Sequence, residues 1–422
     1  MSAKEPDRKG LLTSWKEIAE YLGVSVRTAQ KWEAGLGLPV HRLPGEKGRV
    51  SAEAAGLERW KRETLGRPHW WASVRFFRVY AAVATALVVV AGGVFLGGYL
   101  ASNRKGPPAR FHLEFKSLVV TDERGRELWR KTFEDPFEPD HTPEEMLRER
   151  KAWFGDLDED GHVELLFTYD PSSREKNGSF LICFSDQGKE KWRFVPGRQV
   201  STPTETFPPP YLITQVAVAP LGRDRAKKVL VTSHHLTSYP NQFVALSGKG
   251  AVLGEYWHSG HLSYMELADL DGDGLDEVLL AGVNNGYKAA TLVALDPLNL
   301  GGASVEEDRA YQLEGLGPGK EKARLLFQRT CINRKFEGYN LAMQPTVQGD
   351  SVRVDVRERP SDYQAGVAYR LDKHLRLIHF AVSDRFRALH RELEAAGQLD
   401  HALTDKEIAE LVKIRVLKGL GR

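Results

Sequence analysis

The sequence predicts a multidomain chain: a small helical head, one membrane-spanning helix, and a larger all-β domain of repeated sheets ending in a helical tail. Three observations predict it. Residues 79–103 contain no charged side chain. Before them, helix-start signals recur at helical spacing, and after them apolar residues alternate and two motifs repeat. The 422 residues suffice for two or three domains. The resulting divisions are a head over 1–66, a juxtamembrane linker over 67–78, a span over 79–103, a sheet domain over 104–383 and a tail over 384–422.

The near-neutral net charge of +2 hides a split. Residues 1–78 carry fifteen Lys and Arg against nine Asp and Glu, whereas the remainder carries 44 against 48. A basic head on a slightly acidic body points to different partners for each. Cys183 and Cys331, the two cysteines, both follow the apolar segment. They could pair in an oxidising compartment, but two unpaired strand cysteines is the favoured reading.

In the head, Ser14 and Glu17 form a capping box that opens SWKEIAEYLG, with Trp15, Ile18, Ala19 and Leu22 on one face. Gly23 ends that helix and Ser25 caps the next, VRTAQKWEA. Helix, tight turn and capped helix make a helix-turn-helix. Arg27, Thr28, Gln30 and Lys31 on the second helix are expected to face DNA bases or phosphates. The Pro/Gly-rich stretch that follows supplies Arg42, Lys47 and Arg49 to a β-wing, and a third helix over roughly 51–65 brings Leu57 and Trp60 to the core.

About 20 apolar residues cross a bilayer core, so 79–103 is long enough to span it once. Flanking basic residues favour a cytoplasmic N-terminus. Gly93 and Gly97 form a G-x-x-x-G, which suits a homodimer of membrane helices.

Two segments dominate the sheet domain: Asp156-Leu-Asp158-Glu-Asp160-Gly-His162-Val-Glu164 and Asp269-Leu-Asp271-Gly-Asp273-Gly-Leu275-Asp-Glu277. Each offers carboxylates at loop positions 1, 3, 5 and 9, and the backbone carbonyls of His162 and Leu275 suit position 7 of a Ca2+ loop. Position 12 is Phe167 or Leu280, and an apolar strand follows in place of a helix, so neither is an EF-hand. A degenerate copy fills 215–233, its carboxylates lost. Hairpins recur at 119–133, 181–194 and 244–257, with weaker ones at 293–302 and 369–380. A period near 50–60 residues predicts four or five propeller blades, the strand near 113–121 completing the last.

The head, from SWKEIAEYLG through the GRV of the wing, resembles the winged helix-turn-helix of MerR- and excisionase-type DNA-binding proteins, although the aromatic residue such heads often place after the wing is Ser51 here. The acidic loops running into apolar strands resemble the calcium loops of FG-GAP (VCBS-type) repeats, as in the integrin α-subunit propeller. These resemblances imply DNA as the head's partner and structural Ca2+ in the outer domain.

The hairpins also resemble quinoprotein-dehydrogenase propellers, yet no nucleophile elbow, P-loop, zinc H-E-x-x-H or dinucleotide fingerprint occurs, so a non-enzyme is expected. The expected function is a single-pass inner-membrane transcription regulator, its N-terminus cytoplasmic and its propeller sensing an extracytoplasmic ligand or protein. The alternative is an adhesion or assembly protein whose head binds protein.

Overall fold

The computed structural model describes residues 10–42, 49–66, 70–138, 142–359 and 364–420. It divides into two compact units, Met1–Arg104 and Lys105–Arg422.

In the first unit, α1 (Trp15–Leu22) starts where the Ser14 side chain accepts the Glu17 N–H. The capping box differs by one residue from expectation, because the Glu17 carboxylate accepts the N–H of Thr13 rather than that of Ser14. Gly23 takes the left-handed conformation at φ 70°, which lets the chain turn directly into α2 (Val26–Leu36), capped by Ser25. The third helix starts later than expected. Residues Val50–Glu53 are a strand between Leu11–Leu12 and His41–Arg42, and α3 (Ala54–Trp60) begins only after it. Alternation decides this: Val50 and Ala52 are buried while Ser51 and Glu53 are more exposed. Ile18, Ala29, Leu38, Leu57 and Trp60 fill the core, and the Trp60 indole donates to the Leu36 carbonyl at 2.8 Å.

Helix α4 runs from Trp70 to Asn103, so the expected juxtamembrane linker is helical from Trp70 onward. Its 34 residues measure about 51 Å, more than the apolar stretch alone requires. Tyr80–Tyr99 is long and apolar enough to cross a membrane.

The second unit is propeller-like: among the described residues five antiparallel blade sheets follow one another in chain order, with a two-stranded sheet of Val200–Ser201 and Thr206–Phe207 between the second and third. Blade 1 has three strands, Arg110–Glu114, Ser117–Thr121 and Glu127–Thr132. Blade 2 has Ala152–Gly155, Glu164–Tyr169, Phe180–Phe184 and Glu190–Phe194, and blade 3 has Tyr211–Pro220, Lys227–His235, Asn241–Ser247 and Val252–His258. Blade 4 has Gly260–Ala268, Glu277–Asn284, Ala289–Leu295 and Glu321–Leu326, with Arg415–Lys418 added at its edge. Blade 5 has Tyr339–Ala342, Ser351–Arg359, Gly366–Asp372 and Leu377–Val382, with Thr346–Gln348 also paired to its second strand.

Each sheet packs on the next through a separate apolar cluster. Phe111 and Trp129 share one cluster with Phe167 and Phe184, Cys183 another with Val231, Leu230 a third with Leu280, and Leu292 a fourth with Val354. Among the described residues no such cluster joins blade 5 to blade 1. The strands at 110–121 therefore start a sheet of their own and do not complete the last blade. The hairpin expected at 293–302 is also different, since the partner of Ala289–Leu295 arrives only at Glu321.

Short helices α5 (Pro143–Arg148), α6 (Arg174–Asn177) and α7 (Cys331–Lys335) join strands, and the tail folds as α8 (Asp384–Ala395) and α9 (Asp405–Leu411). Thr404 and Glu407 make a complete capping box. Both cysteines are free thiols, but only Cys183 lies in a strand, while Cys331 opens α7.

Glu358, 1% exposed in blade 5, accepts from the Asn333 amide of α7. Burial pushes its carboxyl up from 4.5 to about 7, against the opposing hydrogen bonds of Thr330 and Asn333. The folded state thus holds a proton that the unfolded state releases. Stability from this group is full below pH 4.5 and is lost as pH rises to about 7. Glu358→Gln should flatten the pH dependence of the melting temperature across that window; an unchanged slope would refute the assignment.

Candidate functional site

In the head, Arg27, Gln30 and Lys31 are exposed, and their three- and four-residue spacing places them on one side of α2. Thr28 is different from expectation: it is half-buried and its hydroxyl lies 2.8 Å from Ser25 Oγ, so it serves the cap. Arg42 is exposed and pairs with Glu33 at 3.1 Å, a surface contact weak enough to be exchanged for a phosphate. Arg49 is exposed at the edge of the strand pair, and Lys47 lies outside the described residues.

The two acidic loops occupy equivalent places, between the first and second strands of blades 2 and 4. Carboxylate oxygens of Asp156, Asp158, Asp160 and Glu164 lie within 4.8 Å of one another, as do those of Asp269, Asp271 and Asp273. Asp156 accepts the Gly161 N–H at 3.0 Å and Asp269 the Gly274 N–H at 3.1 Å. One oxygen of Glu164 accepts the Leu157 N–H at 2.8 Å, and Glu277 does the same with Leu270 at 2.9 Å. The glutamates thus brace the start of each loop. His162 turns its ring toward Asp186, 3.0 Å away. The degenerate loop of blade 3 holds the same place between its strands, as expected.

Each acidic loop also receives a lysine that the sequence reading missed. Lys191 Nζ lies 2.8 Å from Asp158, 3.1 Å from Asp160 and 3.0 Å from Glu164. Lys322 Nζ lies 2.7 Å from Asp271 and 2.5 Å from Glu277. Burial alone would lower both ammonium pKa values, yet the hydrogen bonds they donate to the carboxylates raise them above the ordinary lysine range. Conversely, burial raises the Glu277 carboxyl despite Lys322, and Lys322 lowers that of Asp271.

The strand register explains how these lysines arrive. In every blade the last strand slips by one residue against its neighbour, and the slipped residue is Leu128, Lys191, Leu253, Lys322 or Ile378 in turn. A bulged residue is re-aimed out of the regular pleat. Only the two blades with acidic loops place lysine there. A signal was present in the sequence, since Gly-Lys-Glu-Lys occurs at both 188–191 and 319–322.

The loops suit a hard divalent cation by their donor set. In blade 2, Asp158 Oδ1 is buried without a hydrogen-bond partner, so an acceptor stands ready there. A cation entering either loop would have to displace the lysine ammonium.

A second feature lies among strands and loops of blades 3–5. A cavity of about 520 Å³ is lined by His261, Tyr264, Lys288, Tyr311, Glu337 and Tyr339. It adjoins a smaller one of about 250 Å³ with which it shares Ser263 and Tyr264. The smaller cavity contains the Lys151–Asp170 pair, 3.0 Å apart, and His234. The His234 ring lies 4.2 Å from that of His261, tilted by 49°, and burial lowers its pKa. His235 instead packs on Phe207 and Tyr211.

No protein-family model matches the sequence, and no curated relative matches it. Among solved structures, the chain is similar to BamB from Moraxella catarrhalis at 12% identity and TM-score 0.32, covering 66% of this chain and 62% of that one. It spans about three fifths of BamB's length. The Dos1 propeller gives 9% identity and TM-score 0.34, with 65% and 67% covered. The PilY1 C-terminal domain of Pseudomonas aeruginosa gives 13% and 0.33, with 64% and 71% covered. At such scores the likenesses carry no argument about function, and the propeller-like description rests on the sheet order given above.

Proposed function

We propose that this chain is a membrane-anchored one-component transcription regulator, with a cytoplasmic DNA-binding winged helix-turn-helix head and an extracytoplasmic sensing domain. The observation that carries the reading is α2 with its exposed Arg27, Gln30 and Lys31, following a three-residue turn from α1. A helix presented this way fits a major groove, with Arg42 and Arg49 reaching the flanking phosphates. Tyr80–Tyr99 crosses the inner membrane once, and Gly93 and Gly97, which have open space beside them, form a helix contact in a homodimer. A dimer pairs two small heads on a two-fold DNA site.

In the outer domain, the cavity of blades 3–5 takes the sensed ligand. Its three tyrosines beside Lys288 and Glu337 suit a small molecule with both a flat apolar face and polar groups. Ca2+ completes the two acidic loops by exchanging with Lys191 and Lys322, and has a structural role.

The test is binding of genomic DNA fragments by the full-length protein in lipid nanodiscs. Arg27→Ala with Lys31→Ala should weaken a specific site by about tenfold or more and make binding less salt-dependent. Absence of sequence-specific binding by the wild type would overturn the reading in favour of an adhesion or assembly protein whose head binds protein.

A further inference from the structure

The tail brings together a thiol, two imidazoles and the carboxylate of Glu407, one of whose oxygens serves the Thr404 capping box while the other faces this cluster. Cys331 opens α7, His390 lies on α8 and Glu407 is the N3 residue of α9. One ligand-type atom of each lies within 4.8 Å of the other two. His390 is 0% exposed, and neither of its ring nitrogens has a hydrogen-bond partner. A buried polar group left so is destabilising, and buried histidines are ordinarily partnered. The helix of His390 gives Phe386 and Leu389 to an apolar cluster with Ile332 and Leu399, and the His390 ring lies 5.8 Å from that of His401.

A fourth donor stands beside Glu407, outside that group of three. His401 Nε2 is 2.9 Å from Glu407 Oε1, and its Nδ1 is 2.8 Å from the Asp400 carboxylate. A neutral imidazole has one N–H and one lone pair, so it cannot donate to both carboxylates. Either the ring is an imidazolium, or Nδ1–H donates to Asp400 while Nε2 and Glu407 share a cation. The second arrangement is the carboxylate–histidine–metal relation by which outer carboxylates orient metal-bound imidazoles.

We propose that Cys331, His390, His401 and Glu407 bind one Zn2+ ion, with Asp400 orienting His401. The donor set selects the metal: one sulfur, two nitrogens and one oxygen suit a borderline-soft, four-coordinate ion and not Ca2+ or Mg2+, which take oxygens. The ligands come from three helices and the turn before α9, separated by up to 76 positions of chain, Cys331 to Glu407. The ion therefore clips the tail onto α7 and the edge of blade 5. All four side chains come from helices or the turn between them, so the site is independent of the acidic loops and of any role in DNA binding.

The experiment uses the untagged full-length protein in detergent, stripped with chelator and titrated first with Co2+ and then with Zn2+. One equivalent of Co2+ should give a thiolate-to-metal absorption band with tetrahedral visible bands, and Zn2+ should erase both. Cys331→Ser should lose the thiolate band, whereas Cys183→Ser should keep it. Asp400→Asn should weaken metal binding by roughly 10- to 100-fold. Melting in chelator separates a metal defect from a folding defect. Cys331→Ser that melts like wild type in chelator but gains nothing from Zn2+ supports the site. A wild type without the thiolate band, or equal Zn2+-induced gains in wild type, Cys331→Ser and His390→Ala, overturns it.

Discussion

Lys191→Met should destabilise the sheet domain by about 3 kcal/mol in chelator, with much of the loss restored by Ca2+. Glu164 is only 1% exposed at its side chain and Asp158 14%, and Lys191 is the cation that faces both. Removing one partner of a buried ion pair costs more than the pair contributes, because the remaining charge stays desolvated. Asp160, 44% exposed, adds little, since water screens it. In the variant, Ca2+ faces an empty carboxylate cage and binds without competition. At a concentration 100 times its dissociation constant it would return about 2.7 kcal/mol. The check is thermal and urea unfolding of wild type and variant with chelator and with calcium. Equal stability in chelator would sink the lysine's role. A destabilised variant that calcium leaves unchanged would show loops held by lysine alone.

Trp60→Ala should unfold the head while leaving the sheet domain folded. Burying a tryptophan in a core and then truncating it costs about 3–5 kcal/mol, a large share of what a domain of this size possesses. Trp60 is 8% exposed, its ring lies 5.6 Å from that of Trp32, and its indole holds the C-terminal turn of α2 through the Leu36 carbonyl. Its loss therefore releases the helix that carries Arg27 and Lys31. Limited proteolysis should cut the variant within residues 10–66 and spare 105–420, and specific DNA binding should disappear. A head as protease-resistant as wild type would refute the packing argument.

Much of the organisation was legible in the sequence because it rests on local rules. Ser14, Ser25, Ser383 and Thr404 cap the helices they precede, and Gly23 and Gly37 supply left-handed ends. The acidic loops, their strands and the hairpins at 119–133, 181–194 and 244–257 have the spacing that turn chemistry and alternation prescribe. Where local signals were ambiguous, the tertiary structure decided. Residues 51–53 have no strong preference, and pairing with Leu11–Leu12 makes them a strand instead of helix. Trp70–Arg78, read as linker, continues the helix of the span.

The sites divide the same way. The sequence by itself determined the carboxylates of both loops and the exposed Arg27, Gln30 and Lys31, because ligand spacing and helix faces are short-range properties. Only the tertiary structure decided what sits against them. Lys191 and Lys322 reach the loops through a bulge whose position depends on strand register, and Thr28 is withdrawn by its own cap. Cys331, His390 and Glu407 meet, with His401 beside Glu407, only once the tail has folded back on blade 5. No local rule links positions so far apart, since their proximity is a product of packing.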